Sequence, residues 1–385
     1  MVKRAQPLSA PLNAAIEQPS AWLGGLTPAA FMRQHWQRKP LLVRLAYGGP
    51  WITRAQLFAL ATRDDVEARW VEKQGAKWHM DHGPWASTWL KHKAQTPAAT
   101  LLVQGVDTHW PSVRQVLDAF RFVGDARLDD VMVSWATQGG GVGPHLDQYD
   151  VFLLQARGTR RWSIGPPPAA PRWRAGVPLK QLVGFKATHQ WTLEPGDMLY
   201  LPPGWAHHGV ALDNTCMTYS IGFRAPQSQS LALDLLLRQA DESSGAEVWY
   251  RDRGALPASE PARLPASLQR FAQQALRGLM QDTEGMALAL GESLTEPKPR
   301  TWFEPLAGNW VRGAVTVHAK TRVLYSDGHF FINGESYRLA SADAPWLMRL
   351  ANQRGLAAAD VRRATPNVRR ALKAWVEQGW LSPTA

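Results

Sequence analysis

GGGVGPHLDQYDVF, residues 139–152, joins a glycine-rich turn to residue types that bind metal ions. Three consecutive glycines and a Gly-Pro pair permit tight, irregular backbone and the close approach of other groups. The segment 145–156 has the composition of a β-strand. Because residues i and i+2 of a strand point to the same face, we expect His145 and Asp147 to project side by side. An imidazole and a carboxylate supply two ligands, so a metal site requires a third from elsewhere.

The composition is that of a globular protein without disulfides. The length of 385 residues is enough for two or three domains, and contents of 45% hydrophobic and 19% charged residues are typical of a globular protein. No apolar run approaches the roughly 20 residues of a membrane helix, and the first residues lack the apolar stretch of a signal peptide. Cys216 is the only cysteine, which excludes an internal disulfide and a thiolate zinc site. We therefore expect a cytoplasmic protein with no membrane partner.

The formal net charge is +11, from 43 Lys and Arg against 32 Asp and Glu. A basic surface favours anionic partners such as RNA or a nucleoprotein. A general preference for arginine in the source proteome explains the charge equally well. The C-terminal segment TPNVRRALKAWVEQGW, residues 365–380, is only modestly basic. Direct binding to nucleic acid is therefore possible but not expected.

Short β-type runs separated by glycine and proline occupy residues 129–224. The predicted strands span 131–136, 145–156, 161–164, 191–193, 198–201, 207–212 and 217–223. Many short strands with turn signals between them indicate a sandwich, barrel or jelly roll. Ahead of them, Thr27 and Pro28 have the pattern of a helix start, and Pro40 ends that helix before a strand at 41–45.

The pattern becomes helical after residue 226. An apolar face recurs at helical spacing from Leu268 to Met280, and it is either intramolecular core or a dimer surface. A Pro-rich segment at 295–305 marks a boundary. Beyond it, the pairs Asp327-Gly328 and Asn333-Gly334 predict two hairpin turns, and helices are predicted over 343–354 and 366–379. Small strands combined with helices suggest a winged-helix-like module.

The best source of a third ligand is LEPGDMLYLPPGWAHHGVAL, residues 193–212. Antiparallel strands can bring its paired histidines, His207 and His208, beside the first two ligands. Adjacent strand residues face opposite sides, so only one of the two can join them, and the residues alone leave the choice open. A His-x-Asp motif with a distal His is the facial triad of non-haem Fe(II) oxygenases. It leaves three coordination positions for a chelating co-substrate and dioxygen.

A chelating oxo acid also needs an anchor for its far carboxylate. QARGTRRWSIG, residues 155–165, contains three arginines, whose guanidinium groups bind carboxylates through two parallel hydrogen bonds. Arg160 follows the turn at Gly158 on what should be the neighbouring strand. Arg157 and Arg161 compete for the role, and strand parity allows only one of Arg160 and Arg161 to face inward.

A second His-x-Asp motif, His79-Met80-Asp81 with His82 adjacent, is an internal control. It lacks the glycine-rich turn and an arginine at the matching distance, so we interpret it as a solvated loop. A cupin that stores metal, or an isomerase on the same barrel, remains an alternative for the His145 motif.

With these motifs, the chain resembles the JmjC-type ribosomal oxygenases of bacteria, which are cupin-like Fe(II)- and 2-oxoglutarate-dependent hydroxylases. The matching segments are FMRQHWQRKPLLVR (31–44), LLVQGVDTHW (101–110), DDVMVSWATQGGGVGPHLDQYDVFLLQARGTRRW (129–162), LEPGDMLYLPPGWAHHGVAL and YSIGFRAP (219–226). The resemblance implies Fe(II) held by His145, Asp147 and His207, and 2-oxoglutarate held by Arg160. It also implies that Ser134 lines the substrate pocket. Thr218 and Ser220 share a strand face and could add hydroxyl contacts there.

The resemblance further implies an α+β fold in three parts. These are a JmjC double-stranded β-helix with N-terminal α/β elements over 1–225, a helical dimerisation region over 226–300 and a winged-helix-like domain over 301–385. The implied reaction is hydroxylation of an arginine β carbon in large-subunit ribosomal protein sixteen by a homodimer. The alternatives are a peptidyl-histidine hydroxylase, a demethylase on the same scaffold, and a non-catalytic regulator that binds nucleic acid.

Overall fold

Helices and two antiparallel sheets make up the N-terminal part of the chain. The structure is a computed structural model that describes residues 16–242, 248–251, 262–306, 310 and 313–384. It divides into two units, Met1–Ala225 and Pro226–Ala385. Across those described ranges, every helix is too short or too polar to cross a membrane.

Among its described residues, the first unit contains four α-helices and eleven strands. The helices are α1 (Pro28–Gln34), α2 (Arg54–Leu60), α3 (Ser87–Lys93) and α4 (Pro111–Asp118), with short 3-10 turns at Ala21–Leu23, Val106–Thr108 and Arg121–Val123. The strands are β1 (Leu41–Val43), β2 (Ala68–Gln74), β3 (Lys77–His82), β4 (Ala99–Val103), β5 (Leu128–Ala136), β6 (Val151–Arg157), β7 (Arg160–Gly165), β8 (His189–Leu193), β9 (Met198–Leu201), β10 (Ala206–Ala211) and β11 (Cys216–Phe223).

The predicted helix start at Thr27 is confirmed. The Thr27 hydroxyl accepts a hydrogen bond from the Ala30 amide at 3.0 Å, which satisfies one of the free amides of the first turn. Pro28 is the first residue of α1, where its missing N–H has no intrahelical partner to lose. The helix buries Phe31 against the large sheet, and β1 follows Pro40 as predicted.

Eight strands form one sheet in the order β1-β9-β6-β11-β5-β4-β2-β3, and β10-β7-β8 form a smaller one. One face of the large sheet packs with the helices into a core that contains Trp70, Trp135 and Tyr219. Its other face meets the small sheet across a second apolar core. That core consists of Val151, Leu153, Trp162, Ile164, Leu193, Leu199 and Leu201. The first unit is therefore a two-sheet sandwich with helices covering one side.

The hairpin from β6 to β7 leaves one sheet and enters the other. Arg160 was expected on the strand next to β6, but β7 pairs with β8 and β10 in the small sheet, so that expectation is wrong. The crossing occurs at Gly158, whose φ of +58° favours glycine. A carboxylate fixes it there, because Asp213 accepts from the Thr159 amide at 2.6 Å and the Thr159 hydroxyl at 2.8 Å.

Strand β11 connects the pocket residues of the large sheet. It pairs regularly with β5 from Cys216 to Ile221, and Thr218 lies directly opposite Ser134. On its other side, the register with β6 shifts between Met217 and Thr218. Thr218 and Ser220 therefore share one face, as predicted, and the irregularity is confined to the β6 side.

The second unit contains six helices and six strands among its described residues. The helices are α5 (Ser228–Glu242), α6 (Ala266–Gln281), α7 (Thr283–Thr295), α8 (Ala344–Gln353), α9 (Ala358–Arg363) and α10 (Pro366–Glu377). The strands are β12 (Ala314–Val317), β13 (Val323–Ser326), β14 (His329–Ile332), β15 (Glu335–Arg338), β16 (Gly355–Leu356) and β17 (Leu381–Thr384).

Both predicted hairpin turns of this unit are confirmed. Asp327-Gly328 joins β13 to β14, and Asn333-Gly334 joins β14 to β15 with φ of +50° and +88°. Two terminal helices were predicted and three are present. The additional helix, α9, has six residues and no capping side chain, so it carries too few signals to be recognised in sequence.

We expect Asp213→Ala to destabilise the first unit by about 1–3 kcal/mol at pH 7 in urea unfolding, because Asp213 accepts four hydrogen bonds from Thr159 and Thr215. Partial burial raises the pKa of Asp213, but these bonds outweigh it and hold the pKa below its ordinary value of 3.8. The contribution is therefore present above pH 3.8 and is lost as the pH falls through the lower folded-state pKa. Asp81→Ala, at an exposed position of β3, should change stability by less than about 0.5 kcal/mol. Equal effects of the two substitutions would contradict the role of Asp213.

Candidate metal centre

Three side chains from distant parts of the sequence converge between the sheets. Ligand atoms of His145, Asp147 and His207 all lie within 4.8 Å of one another. The Nε2 atom of His207 is 3.6 Å from Oδ2 of Asp147, and the two imidazole centroids are 4.1 Å apart. His207 is buried and the other two are half-buried, so the cluster is open on one side.

A two-way backbone bridge brings the histidines together. The His145 amide donates to the His207 carbonyl at 3.0 Å, and the His207 amide donates to the His145 carbonyl at 2.8 Å. Upstream, the Gly139 amide donates to the Ala211 carbonyl at 2.8 Å, and the Ala211 amide donates to Gly140 at 2.9 Å. The glycine-rich turn therefore lies along β10 as an irregular edge of the small sheet.

The predicted strand over 145–156 is wrong in its first half. His145 forms only the bridge to β10, and regular pairing begins at Val151 in β6. The chain cannot be one strand here because His145 belongs to the small sheet and Val151 to the large one. Between them the Asp147 carbonyl accepts from the Gly204 amide at 2.7 Å, which holds the connecting bend.

Packing around the turn leaves no room for side chains at its central positions. A Cβ on Gly140 would lie 2.3 Å from the Ala99 carbonyl oxygen, and one on Gly141 would lie 2.3 Å from that of Gly209. Gly143 has a φ of +83°, which L side chains rarely adopt. The glycines therefore allow the turn to lie against β4 and β10 immediately before His145.

Each histidine ring is oriented by the carbonyl two residues upstream. Nδ1 of His145 lies 3.0 Å from the Gly143 oxygen, and Nδ1 of His207 lies 2.9 Å from the Trp205 oxygen. A carbonyl oxygen only accepts, so each Nδ1 carries the proton and each Nε2 keeps a free lone pair. Burial, together with the proximity of His145, lowers the pKa of His207 to about 4. The ring is therefore neutral at neutral pH, the form that binds metal.

Strand register distinguishes the paired histidines. His207 lies opposite Ile164 of β7, a buried residue of the core between the sheets. His208 lies opposite Ser163 and projects from the other face of the small sheet. The choice that the sequence left open therefore falls on His207.

The same register separates Arg160 from Arg161, whereas Arg157 ends β6 in the large sheet. Arg160 lies opposite Ala211, two pairs along from Gly209 and four from His207, so its side chain shares their inward face. It is only 4% exposed, whereas Arg157 and Arg161 are exposed. The Nε and Nη2 atoms of Arg160 are buried and have no hydrogen-bond partner in the structure. An inward cation with two free donors is suited to a carboxylate.

Trp162 stands between the arginine and the histidine, and sequence reasoning missed it. Its ring lies 5.7 Å from the Arg160 guanidinium carbon and 5.8 Å from the His207 ring. A Cβ on Gly209 would lie 2.7 Å from this indole, so the glycine makes room for it. The available signal was strand parity, because Trp162 is two residues beyond Arg160 and faces the same way.

Serine and threonine hydroxyls line the large sheet on the side that faces the small one. Ser134 is buried and donates to the Thr218 carbonyl at 3.4 Å, a weak bond that leaves the hydroxyl available. The Thr218 hydroxyl donates to Oε1 of Gln155 at 3.0 Å. Gln155 is fully buried, and sequence reasoning did not single it out.

The second His-x-Asp motif does not form a comparable cluster. His79, Asp81 and His82 lie in β3, an edge strand, so the prediction of a loop is wrong, although all three are solvent-exposed as expected. Within the described parts of the chain, the only group of three potential metal ligands is that of His145, Asp147 and His207. Two imidazoles and one carboxylate are a ligand set of Fe(II), and the buried guanidinium beyond Trp162 suits an anionic co-substrate. The residues present therefore fit both groups.

Comparison with known proteins agrees with this site. Residues 115–231 match the model of the JmjC domain, and residues 278–382 match the ROXA-like winged helix. The ribosomal protein uL16 3-hydroxylase of Escherichia coli K12 is 34% identical over 343 residues, which cover 85% of this chain and 89% of that protein. An X-ray structure of E. coli YcfD superposes with a TM-score of 0.80 at 29% identity, covering 93% of this chain and 98% of that one. A structure of YcfD, a ribosomal oxygenase, in complex with cobalt and 2-oxoglutarate gives a TM-score of 0.78 at 29% identity, over 94% and 99% of the two chains.

A two-sheet sandwich with a His-x-Asp and distal His triad between its sheets is a JmjC-type double-stranded β-helix. The chain belongs to the JmjC-domain ribosomal oxygenases, as its similarity to the E. coli protein over most of both lengths shows. The predicted family and the α+β fold with a C-terminal winged helix are thereby confirmed.

We expect His207→Ala to weaken Co(II) binding, measured by calorimetry, by more than about 100-fold, which exceeds the loss typical of a supporting residue. His208→Ala is the matched control, because His208 projects from the opposite face and should leave the affinity nearly unchanged. Similar losses in the two variants would contradict the assignment of the inward face.

Proposed function

We propose that the protein is an Fe(II)- and 2-oxoglutarate-dependent oxygenase that hydroxylates the β carbon of an arginine in ribosomal protein uL16, the large-subunit protein sixteen. The observation that carries this proposal is the triad of His145, Asp147 and His207 on the same inward face as the buried Arg160, whose Nε and Nη2 atoms have no hydrogen-bond partner. Its support for uL16 as substrate is the 34% identity to a uL16 3-hydroxylase, since carbon 3 of an amino acid is its β carbon.

In this proposal His145, Asp147 and His207 hold the metal ion. The two Nε2 atoms and one carboxylate oxygen are the donors, and the Gly143 and Trp205 carbonyls fix the rings for them. Bound Fe(II) with 2-oxoglutarate supplies the chemistry, in which dioxygen decarboxylates the oxo acid to succinate and carbon dioxide while the substrate C–H becomes C–OH. The chain contributes binding, orientation and the exclusion of water.

Arg160 would hold the distal carboxylate of 2-oxoglutarate. Its free Nε and Nη2 donors form the planar fork that matches a carboxylate, and its burial strengthens the ionic hydrogen bonds. The Trp162 indole beside it shields this pair from water and offers its electron-rich face to the cation. Ser134 would line the pocket on the opposite sheet, with Thr218 and Ser220 on the same side of β11.

The proposed domains are the catalytic domain over 1–225, the helical region over 226–300 and the winged-helix domain over 301–385. The JmjC match lies almost entirely in the first, and the winged-helix match extends back to include α7. We also propose a homodimer that uses the apolar face of α6. Leu276 and Met280 of this helix are 54% and 65% exposed, and no described side chain of α6 is buried. A ribosomal substrate and a single free cysteine, Cys216, support a cytoplasmic location.

We expect Arg160→Met to raise the KM for 2-oxoglutarate by about 10–100-fold, because a charge-assisted pair is lost. The KM of Arg160→Lys should lie between those of Arg160→Met and the wild type, since lysine keeps the positive charge but lacks the two parallel donors. Arg161→Met removes the same charge from the outer face and is the control. Succinate release at varied 2-oxoglutarate measures all three, and an unchanged KM in Arg160→Met would contradict the assignment.

The substrate is tested by mass spectrometry of a uL16 peptide incubated with the protein, Fe(II), 2-oxoglutarate and air. We expect one added oxygen, located on an arginine by fragmentation, and none with His145→Ala. Succinate release without a peptide shift would retain the oxygenase and reject this substrate. Absence of both would contradict the catalytic proposal.

A further inference from the structure

The connection between β7 and β8 contains a hairpin beside the metal centre, here called the basic hairpin (residues 171–186). Trp173 and Leu182 form a bridge, the Arg174 amide donates to the Gln181 carbonyl at 2.8 Å, and the Val183 amide donates to the Arg172 carbonyl at 2.8 Å. These contacts hold residues 172–174 beside residues 181–183, so the connection doubles back on itself.

The basic hairpin is fastened to the turn that carries the first metal ligand. The Leu182 amide donates to the Pro144 carbonyl at 2.7 Å, and Nε2 of Gln181 donates to the Val142 carbonyl at 3.1 Å. Gln181 and Leu182 are buried, at 1% and 6% exposure. These contacts fasten the hairpin to the turn immediately before His145.

The exposed charged side chains of the basic hairpin are all positive. Arg172, Arg174, Lys180 and Lys186 are all exposed, and none forms an ion pair with a described residue. The sequence contains no acidic residue between Asp150 and Glu194. The charge of these four side chains is therefore uncompensated along the whole connection.

Exposed apolar side chains lie on both faces of the hairpin. Trp173 is 41% exposed and Val183 is 40% exposed. Strand pairing places Arg172 and Arg174 on the same side as Gln181, and Trp173 on the other side with Leu182. Cations that contact phosphates, combined with an aromatic ring on which a base can stack, are characteristic of binding to unpaired nucleic acid.

We propose that the basic hairpin binds single-stranded RNA, and that the enzyme meets its ribosomal protein substrate together with RNA. The choice of RNA rests on the proposed function, because the target arginine is itself a cation and a peptide that carries it is repelled by four more. The phosphates of RNA associated with a ribosomal protein are attracted to the four cations of the hairpin, whereas the free peptide is not. The weak positive charge of residues 365–380 argued against nucleic-acid binding, whereas the cations of this connection lie elsewhere in the chain.

RNA binding is tested by fluorescence anisotropy with a labelled, unstructured RNA of about 20 nucleotides. If four phosphates are contacted, log K falls with log salt at a slope of about −2.8, so binding of the full-length protein weakens about 50-fold from 50 to 200 mM salt. The variant with Arg172, Arg174, Lys180 and Lys186 all replaced by Ala should bind at least about tenfold more weakly at 50 mM, with a slope smaller by about 3.

The matched control replaces Arg362, Arg363, Arg370 and Lys373 by Ala. All four are exposed residues of α9 and α10, so replacing them also removes four positive charges, but from the C-terminal unit. The control should bind RNA as the wild type does. Loss of binding in the control with retention in the hairpin variant would overturn the proposal and assign RNA to the C-terminal helices.

A second variant separates RNA recognition from damage to the fold. Trp173→Ala should weaken RNA binding about tenfold through lost stacking, and Trp173→Phe should restore most of it. Equal binding by Trp173→Ala and the wild type would overturn the stacking contact, and thermal melting checks that each variant is folded.

RNA binding requires no metal or 2-oxoglutarate, so the hairpin inference can be rejected independently of the proposed function. A wild type that hydroxylates the uL16 peptide but does not bind RNA would overturn the hairpin inference alone. A wild type that binds RNA through the hairpin but leaves uL16 unmodified would overturn the substrate assignment and retain the RNA-binding surface.

Discussion

The pair of backbone hydrogen bonds between His145 and His207 is the constraint on which the site depends. It fixes two ligands that are distant in sequence before any metal is bound, and it fixes the register of β10 as well. Strand side chains alternate, so a slip of one residue would turn His207 and Ala211 outward and bring His208 in. The steric demands of Gly140 and Gly141 follow from the same constraint, because the turn must lie against β10 for the bridge to form.

A second constraint is the burial of a cation between the two sheets. A guanidinium without hydrogen-bond partners is unfavourable in an apolar interior, and at Arg160 the adjacent Trp162 face compensates only part of that. The rest of this unfavourable free energy remains in the folded protein, and a bound anion can offset it. Arg160 is therefore easier to explain as part of a binding site than as a structural residue.

The residues of the site could be predicted from sequence more fully than its geometry. The spacing of His145 and Asp147, the helix start at Thr27 and the hairpin turns of the second unit depend on local rules, and local rules are visible in sequence. The choice of His207 over His208 depends on pairing between β7 and β10, which no local pattern contains. The strand predicted from residue 145 was wrong for the same reason, because the chain changes sheets within the motif. Trp162 and Gln155 were missed since their roles arise from what packs opposite them.

The misleading motif in β3 has a different significance once its position is known. It lies at one end of the eight-stranded order, where unpaired backbone groups could recruit the strand of another molecule. Lys77, His79 and Asp81 project from that margin into solvent, and the opposite margin, β1, is only three residues long. Polar side chains on the edge strand β3 and the short length of the edge strand β1 both discourage the addition of a strand from another molecule. A pattern that looks like catalysis in sequence thus contributes to the colloidal behaviour of the protein.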